Sequence, residues 1–339
     1  MIRFFKKFFC IMLLLVGAKS GLGKEYRVLV LPSGGAAGII SAVSLVELER
    51  QTGRPIYQQF DEIWGSSIGA MMAALLTVPR HDQAEPKSAS EVLEFLEQAF
   101  ASCWRASGIL KAFSKNIPLG FPLKDTKIPI RILSAEIKDW MSVFPIPSRT
   151  ELKVFCPERE GGLPLPSLVC SSCVLPPIHW YEKIVSASGE IFHYLDAGHE
   201  FCTEQCMNPL YKNLEAFSKK INAQEDRVSL FFLSNGWVRL PSWYTEMTLV
   251  EDNPELKVKL FNLDMDLSAA LEVWRRDHWF GKMLGCVESP YILYNLAGIG
   301  LIPSSILKRH AQGVLQDSRV LRAMIEDLRQ KEDVGDQFW

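Results

Sequence analysis

The stretch Phe60-Asp61-Glu62-Ile63-Trp64-Gly65-Ser66-Ser67-Ile68-Gly69 constrains this chain more than any other part of it. Its second half reads G-x-S-x-G, the pattern of a nucleophilic serine on a tight turn between a strand and a helix. Gly65 and Gly69 would let two backbones pass where a Cβ would collide. The run from Ala70 to Leu76 is rich in Ala, Met and Leu, which favour helix. That helix would direct its N-terminal dipole at the Ser67 oxygen, where negative charge develops in acyl transfer. The same residues also suit a small-residue turn before a buried helix, so the neighbouring stretches decide between the two readings.

Upstream, Glu25 to Pro32 carries the apolar and β-branched run of a buried strand. Ser33-Gly34-Gly35-Ala36-Ala37-Gly38 follows at once, and then an apolar-periodic stretch from Ile39 to Leu48. A glycine loop opening a helix can cradle phosphate or offer backbone amides to an oxyanion. The dinucleotide pattern G-x-G-x-x-G fails on spacing, and no Lys-Ser or Lys-Thr follows to make a P-loop. Phe60 to Trp64 reads as the second strand, Glu91 to Trp104 as a helix and Lys127 to Ile137 as a further strand. Residues 144–168, rich in Pro and Gly, read as a loop region with one short strand around Val154. Val169 to Pro177 reads as a helical turn ending in an extended segment.

Ile191 to Leu195 is a strand candidate that runs straight into Asp196-Ala197-Gly198. A carboxylate at the end of a buried strand is where open α/β sheets place functional groups. A helix is expected from Asn208-Pro209 to about Lys220, a strand over Val228 to Leu233 and an exposed or edge strand over Leu256 to Leu263. From Ser268 to about Arg329 the pattern is mainly helical. Strands alternating with helices imply a layered α/β sheet.

Residues 1–20 stand apart. Arg3, Lys6 and Lys7 precede an apolar run from Phe8 to Ala18, with small-residue cleavage options at 16–20, the layout of a signal peptide for export. An uncleaved membrane anchor is the alternative. The formal net charge is −2, so bulk electrostatics point to no nucleic-acid partner. Cys170-x-x-Cys173 and Cys202-x-x-x-Cys206 leave open a zinc site, a local disulfide or buried thiols, although about 28 residues between the pairs exceed the usual zinc ribbon. His193 and His199 read as structural.

With these stretches in place the chain resembles the patatin-like phospholipase family. Ser33 to Gly38 is similar to that family's G-G-G-x-R-G loop, and Phe60 to Gly69 to its F-D-x-I-x-G-x-S-x-G segment. Cys170 to Pro176 loosely resembles its S-x-A-x-P segment, and Asp196-Ala197-Gly198 with Asn208-Pro209 its D-G-G or D-G-A and N-P blocks. The resemblance spans roughly residues 26–275. It implies a three-layer α/β/α domain over 24–275, followed by a helical extension over 276–339. Ser67 would be the nucleophile, Asp196 its base and Gly34 and Gly35 the oxyanion hole, with no metal or other cofactor. The substrate would be a phospholipid or another glycerolipid at a membrane surface; the resemblance leaves the oligomeric state open. Cys170 and Cys173 fall where that family carries small buried residues. The family's arginine is replaced here by Ala37, which removes a cation suited to a lipid phosphate. Two rivals follow: an inactive lipid-binding or interaction protein with this fold, and a carboxylesterase using Ser67, His199 and Asp196.

Overall fold

The computed structural model describes residues 25–80, 83–102, 111–140, 147–174, 181–186, 189–197, 227–233, 250–253, 258–263, 270, 273–274, 276 and 302–335. The candidate export segment, His199, Cys202, Cys206, Gly198 and Asn208-Pro209 lie outside them.

Among the described residues nine strands form one mixed sheet: β1 (Glu25–Leu31), β2 (Glu62–Ser66), β3 (Ile130–Trp140), β4 (Pro147–Phe155), β5 (Glu182–Val185), β6 (Ile191–Leu195), β7 (Arg227–Leu233), β8 (Val250–Asn253) and β9 (Val258–Leu263). β1 lies parallel to β2 and β7, β2 parallel to β3, and β7 parallel to β9. Alternate side chains fall on opposite faces. Leu29, Leu31, Ile63, Ile132, Phe231 and Phe261 belong to one buried cluster, and Val28, Val30, Trp64, Leu133, Val228 and Leu230 to another. A sheet buried on both faces is the middle layer of a sandwich, which is why β1 and β7 read as nearly continuous apolar runs. The fold is three-layer α/β/α.

Helices α1 (Gly38–Thr52), α2 (Ile68–Leu75), α3 (Ala89–Ser102), α4 (Leu165–Cys173), α5 (Ser304–Gln316) and α6 (Arg319–Gly335) contribute to the first cluster. The two C-terminal helices do so through Leu307, Ala311 and Leu315, and through Leu321, Met324, Ile325 and Leu328, each set on one helical face. Both pack on α1. Arg27 of β1 fastens them: its buried guanidinium donates to the carbonyls of Asp327 and Leu328 and lies 3.6 Å from the Asp327 carboxylate. Arg54 adds a 2.8 Å bond to the Leu328 carbonyl.

On the second face, Glu62 is buried and accepts hydrogen bonds from the Tyr26 hydroxyl at 3.0 Å, Trp64 Nε1 at 2.8 Å and Arg131 Nε. Burial raises its carboxyl above the ordinary value, against the charge and hydrogen bond of Arg131. The same burial, with the charge of Glu62, raises the Tyr26 phenol.

Three expectations need correction. Residues 144–168 hold a nine-residue strand, β4, paired antiparallel to β3, and the start of a helix. The short strand expected near Val154 is only its end. Residues 165–173 form a regular helix, with Pro166 in its first turn, where a missing N–H costs nothing. β9 is not at an edge: it is bonded to β7 on one side and β8 on the other, with Phe261 and Leu263 buried.

Candidate active site

Register decides which residues meet at the end of the sheet. Each residue of β3 has two edges. At Leu133 these are taken by Ser66 of β2 and Val154 of β4. At Ala135 they are taken by Leu152 of β4 and Leu195 of β6. β4 therefore holds one edge throughout, and β2 and β6 share the other, end to end. Continuing each register by one residue brings Ser67, which follows β2, and Asp196, which follows β6, to the same neighbour, Ser134. Residues 129 positions apart in sequence converge on one point because a parallel and an antiparallel strand run towards each other along a common edge.

Ser67 sits there in a strained backbone. Its φ of 53° and ψ of −123° make it the sole non-glycine residue at positive φ among the described residues. Such a conformation persists only where the surroundings impose it. Here the glycines do so. A Cβ on Gly69 would lie 2.0 Å from the Leu31 carbonyl oxygen, and one on Gly65 would lie 2.6 Å from the Ala70 Cα. Helix α2 is thus pressed against β1 and β2, and its N-terminus begins at Ser67. Both Ser67 and Asp196 are buried, at 6% and 2% exposure.

The glycine turn lies alongside. The Ser33 hydroxyl is 2.8 Å from Ser66 Oγ and makes a long 3.5 Å contact with Asp196 Oδ1. Gly35 has φ 52°, in the left-handed region that favours glycine. The amides of Ala37 and Gly38 are used within the turn, bonding to Gly34 and to Ala36 and Gly35. The amides of Gly34 and Gly35 make no backbone hydrogen bond among the described residues. Ala37, at the position of the family arginine, is fully buried.

Cys173, at the end of α4, is also in the cluster. Its thiol lies near the Ser67 side chain and feels the charge of Asp196. Burial pushes that thiol well above its ordinary value, the Asp196 charge adds to this, and the neighbouring Ser67 hydroxyl opposes it. Burial pushes Cys170 up to about 12. Cys156, Cys170 and Cys173 are free thiols. No group of three metal-ligating side chains occurs among the described residues. His193 packs edge-on against Tyr181 and Trp140, with centroids 4.8 and 6.0 Å away.

A family model for patatin-like phospholipase matches residues 29–201, half of the chain. The chain belongs to that family. The matched span contains the glycine turn, the strained serine and Asp196, so this patatin-like domain carries the whole cluster. Among curated proteins the chain is similar to a cUMP-AMP-activated phospholipase of Escherichia coli, 27% identical over 180 residues. That match covers 51% of this chain and 54% of the relative. It is also similar to a cGAMP-activated phospholipase of Pseudomonas aeruginosa (strain BWHPSA011 / Pa011), 50% identical over 48 residues, 14% of each chain. The chain thus spans about half the length of the first relative it matches and far less of the second.

One residue of the patatin-like cluster escaped sequence reasoning. Ser172 accepts a 2.7 Å hydrogen bond from the Ser67 amide and donates a 2.5 Å one to the Leu133 carbonyl. The loosely matched S-x-A-x-P segment held the only signal for it.

Proposed function

We propose that the chain is a lipid acyl hydrolase that cleaves fatty-acyl esters of phospholipids or other glycerolipids through Ser67 and Asp196. The observation that carries this reading is the strained Ser67 at the start of α2, with Asp196 converging on the same residue of β3.

In this reading the Asp196 carboxylate accepts the Ser67 proton as Oγ attacks the ester carbonyl carbon. The carbonyl oxygen becomes an oxyanion and receives hydrogen bonds from the Gly34 and Gly35 amides, with the N-terminal dipole of α2 favouring the same charge. The carbon–oxygen bond to the glycerol backbone then breaks, and the leaving alkoxide takes the proton held by Asp196. Water, deprotonated by the same carboxylate, attacks the acyl-serine; the bond from the acyl carbon to Ser67 Oγ breaks, Oγ takes the proton back from Asp196, and the fatty acid is released. No histidine is needed in this reading, because the carboxylate accepts and returns the proton in both halves of the reaction.

The test is kcat/KM on a short-chain ester and on phospholipid vesicles. Ser67→Ala should reduce turnover to background with the fold intact, and Asp196→Asn should be nearly as damaging. The double variant should be no worse than either, as for groups that act as one unit. His199→Ala should keep most activity. Turnover surviving Ser67→Ala would refute the assignment; loss in His199→Ala equal to that in Ser67→Ala would transfer the base role to a triad.

Both relatives are named for activation by a nucleotide, cUMP-AMP in one and cGAMP in the other. On that ground we propose that hydrolysis by this chain is also nucleotide-activated. Vesicle hydrolysis with and without each compound tests it: a rise over basal turnover is expected, and equal rates would refute the regulation while leaving the dyad untouched.

A further inference from the structure

The end of α4 touches both members of the proposed dyad. Ser172 Oγ accepts the Ser67 amide proton at 2.7 Å and passes its own to the Leu133 carbonyl at 2.5 Å. Two residues on, the Val174 carbonyl accepts the Asp196 amide at 2.7 Å. Cys173, the last residue of α4, lies between them and near the Ser67 side chain. Beneath, the buried Ser134 hydroxyl is 2.8 Å from the Ser171 carbonyl and 2.9 Å from the Leu195 carbonyl, which joins α4 to the last residue of β6. The nucleophile and the base belong to different strands that meet only end to end. Direct pairing within the sheet does not fix one against the other. Ser172 and Cys173 at the end of α4, with Val174 directly after it, do.

We propose that Ser172-Cys173-Val174 is the segment that sets the distance and direction between nucleophile and base, with Ser172 and Cys173 as positioning residues. The inference rests on the Ser67–Asp196 reading. Ser172 acts on the backbone: its hydroxyl satisfies an amide that the strained turn leaves without a helical partner, and so holds Ser67 at positive φ. Cys173 acts on the side chain: its thiol orients the Ser67 hydroxyl. A thiol suits this place because it stays neutral beside Asp196, contributes a weak hydrogen bond and adds no second charge to a buried carboxylate.

Removing the Ser172 hydroxyl leaves a buried amide and a buried carbonyl unpaired. The turn can relax towards ordinary dihedrals, which moves Oγ. Displacement of a reacting atom by about 1 Å costs on the order of a hundredfold in rate.

The experiment measures kcat, KM and thermal midpoint on the short-chain ester for Ser172→Ala, Cys173→Ala, Cys173→Ser and Leu168→Ala. Leu168 is a buried residue of the same helix and contacts the apolar cluster, so it reports loss of packing alone. Ser172→Ala should lower kcat about 100-fold with KM within about threefold of wild type. Cys173→Ala should lower kcat about 10-fold, and Cys173→Ser, which keeps a hydrogen-bonding group, should restore most of it. Leu168→Ala should lower the thermal midpoint most and leave kcat near wild type below it. The proposal is overturned if Ser172→Ala and Cys173→Ala keep wild-type kcat, or if Leu168→Ala loses kcat to the same degree. If Ser172→Ala does not fold, the Cys173 pair decides: equal kcat in the alanine and serine variants refutes the segment's role. Turnover in Ser67→Ala would instead refute the dyad, a separate failure.

Discussion

A methyl group at Gly69 should disable this protein more through geometry than through stability. It would lie 2.0 Å from the Leu31 carbonyl oxygen, 2.6 Å from its carbon and 2.9 Å from the Pro32 oxygen, all backbone atoms. Ordinary contact begins near 3.4 Å, so β1 and α2 must part by about 1.4 Å, and no flexible side chain can absorb the change. Overpacking of this kind costs about 1–3 kcal/mol. The two sides forced apart carry different halves of the proposed chemistry. Leu31 leads directly into the Ser33-Gly34-Gly35 turn, and Gly69 follows Ser67 by two residues. A shift of 1 Å between nucleophile and oxyanion donors is worth about a hundredfold in rate, or about 2.7 kcal/mol of barrier.

Two graded controls separate the effects. A Cβ on Gly38 would meet only the Ile68 side chain, at 2.8 Å, and Gly53, with φ 70°, has nothing within 4 Å. Gly53→Ala should therefore cost about 1–2 kcal/mol of backbone strain and leave catalysis alone. Gly38→Ala should fall between. The assay is kcat/KM on a short-chain ester, the rate of fluorophosphonate labelling and a thermal melt for all three. A Gly69→Ala protein that melts like Gly53→Ala and turns over at the wild-type rate would refute the reasoning.

Further perturbations follow from the buried charges and thiols. Arg27→Ala strands the Asp327 carboxylate and should cost about 3–5 kcal/mol in urea unfolding; Arg27→Met with Asp327→Leu should recover most of it, and a single-variant loss below about 1 kcal/mol would refute the clamp. The raised Glu62 carboxyl means that folding favours its protonated form. Its contribution is full below the unfolded value and is lost as pH rises through the folded one. The stability of wild type relative to Glu62→Gln should therefore fall from about pH 4.5 upward, and a difference that grows with pH would contradict this. Cys170 and Cys173 are half-buried thiols held above their ordinary value, so iodoacetamide at pH 8 should label them more slowly in the native protein than after unfolding, as peptide mass mapping would reveal; equal rates would contradict this.

The serine turn was legible because its chemistry is local. Glycines four apart around a serine, after apolar residues and before a helix former, specify a strand, a sharp turn and a helix without reference to the rest of the chain. Asp196 was placed correctly at the end of its strand by the same local logic. What sequence could not give was the shared edge of β3, since convergence of β2 and β6 depends on β4 occupying the opposite edge. β4 itself was obscured by its composition: Pro147, Ser148, Arg149, Glu151 and Lys153 are exposed or half-buried, and only Val154 and Phe155 are buried. It has the polar character of a strand with little core to cover. The helix over 165–173 was cut short for the opposite reason. Its Ser and Cys residues have weak helical preference and are held by tertiary bonds, Ser134 to the Ser171 carbonyl and Ser172 to Leu133. Ser172 was hidden with it, because its task is defined by a partner 105 positions away.

The Arg27 clamp also has a meaning in time. Two of its acceptors lie 300 and 301 positions downstream, so until α6 has been made the buried guanidinium keeps only Glu25, at 3.3 Å. A chain growing from the ribosome would hold that guanidinium short of two acceptors in a half-built apolar core, and the unfinished domain would remain loose. Such long-range closure slows folding and concentrates it in a late step. A chain interrupted before residue 327 lacks the acceptors that seat Arg27, so truncation at the C-terminal side is felt at the first strand of the sheet.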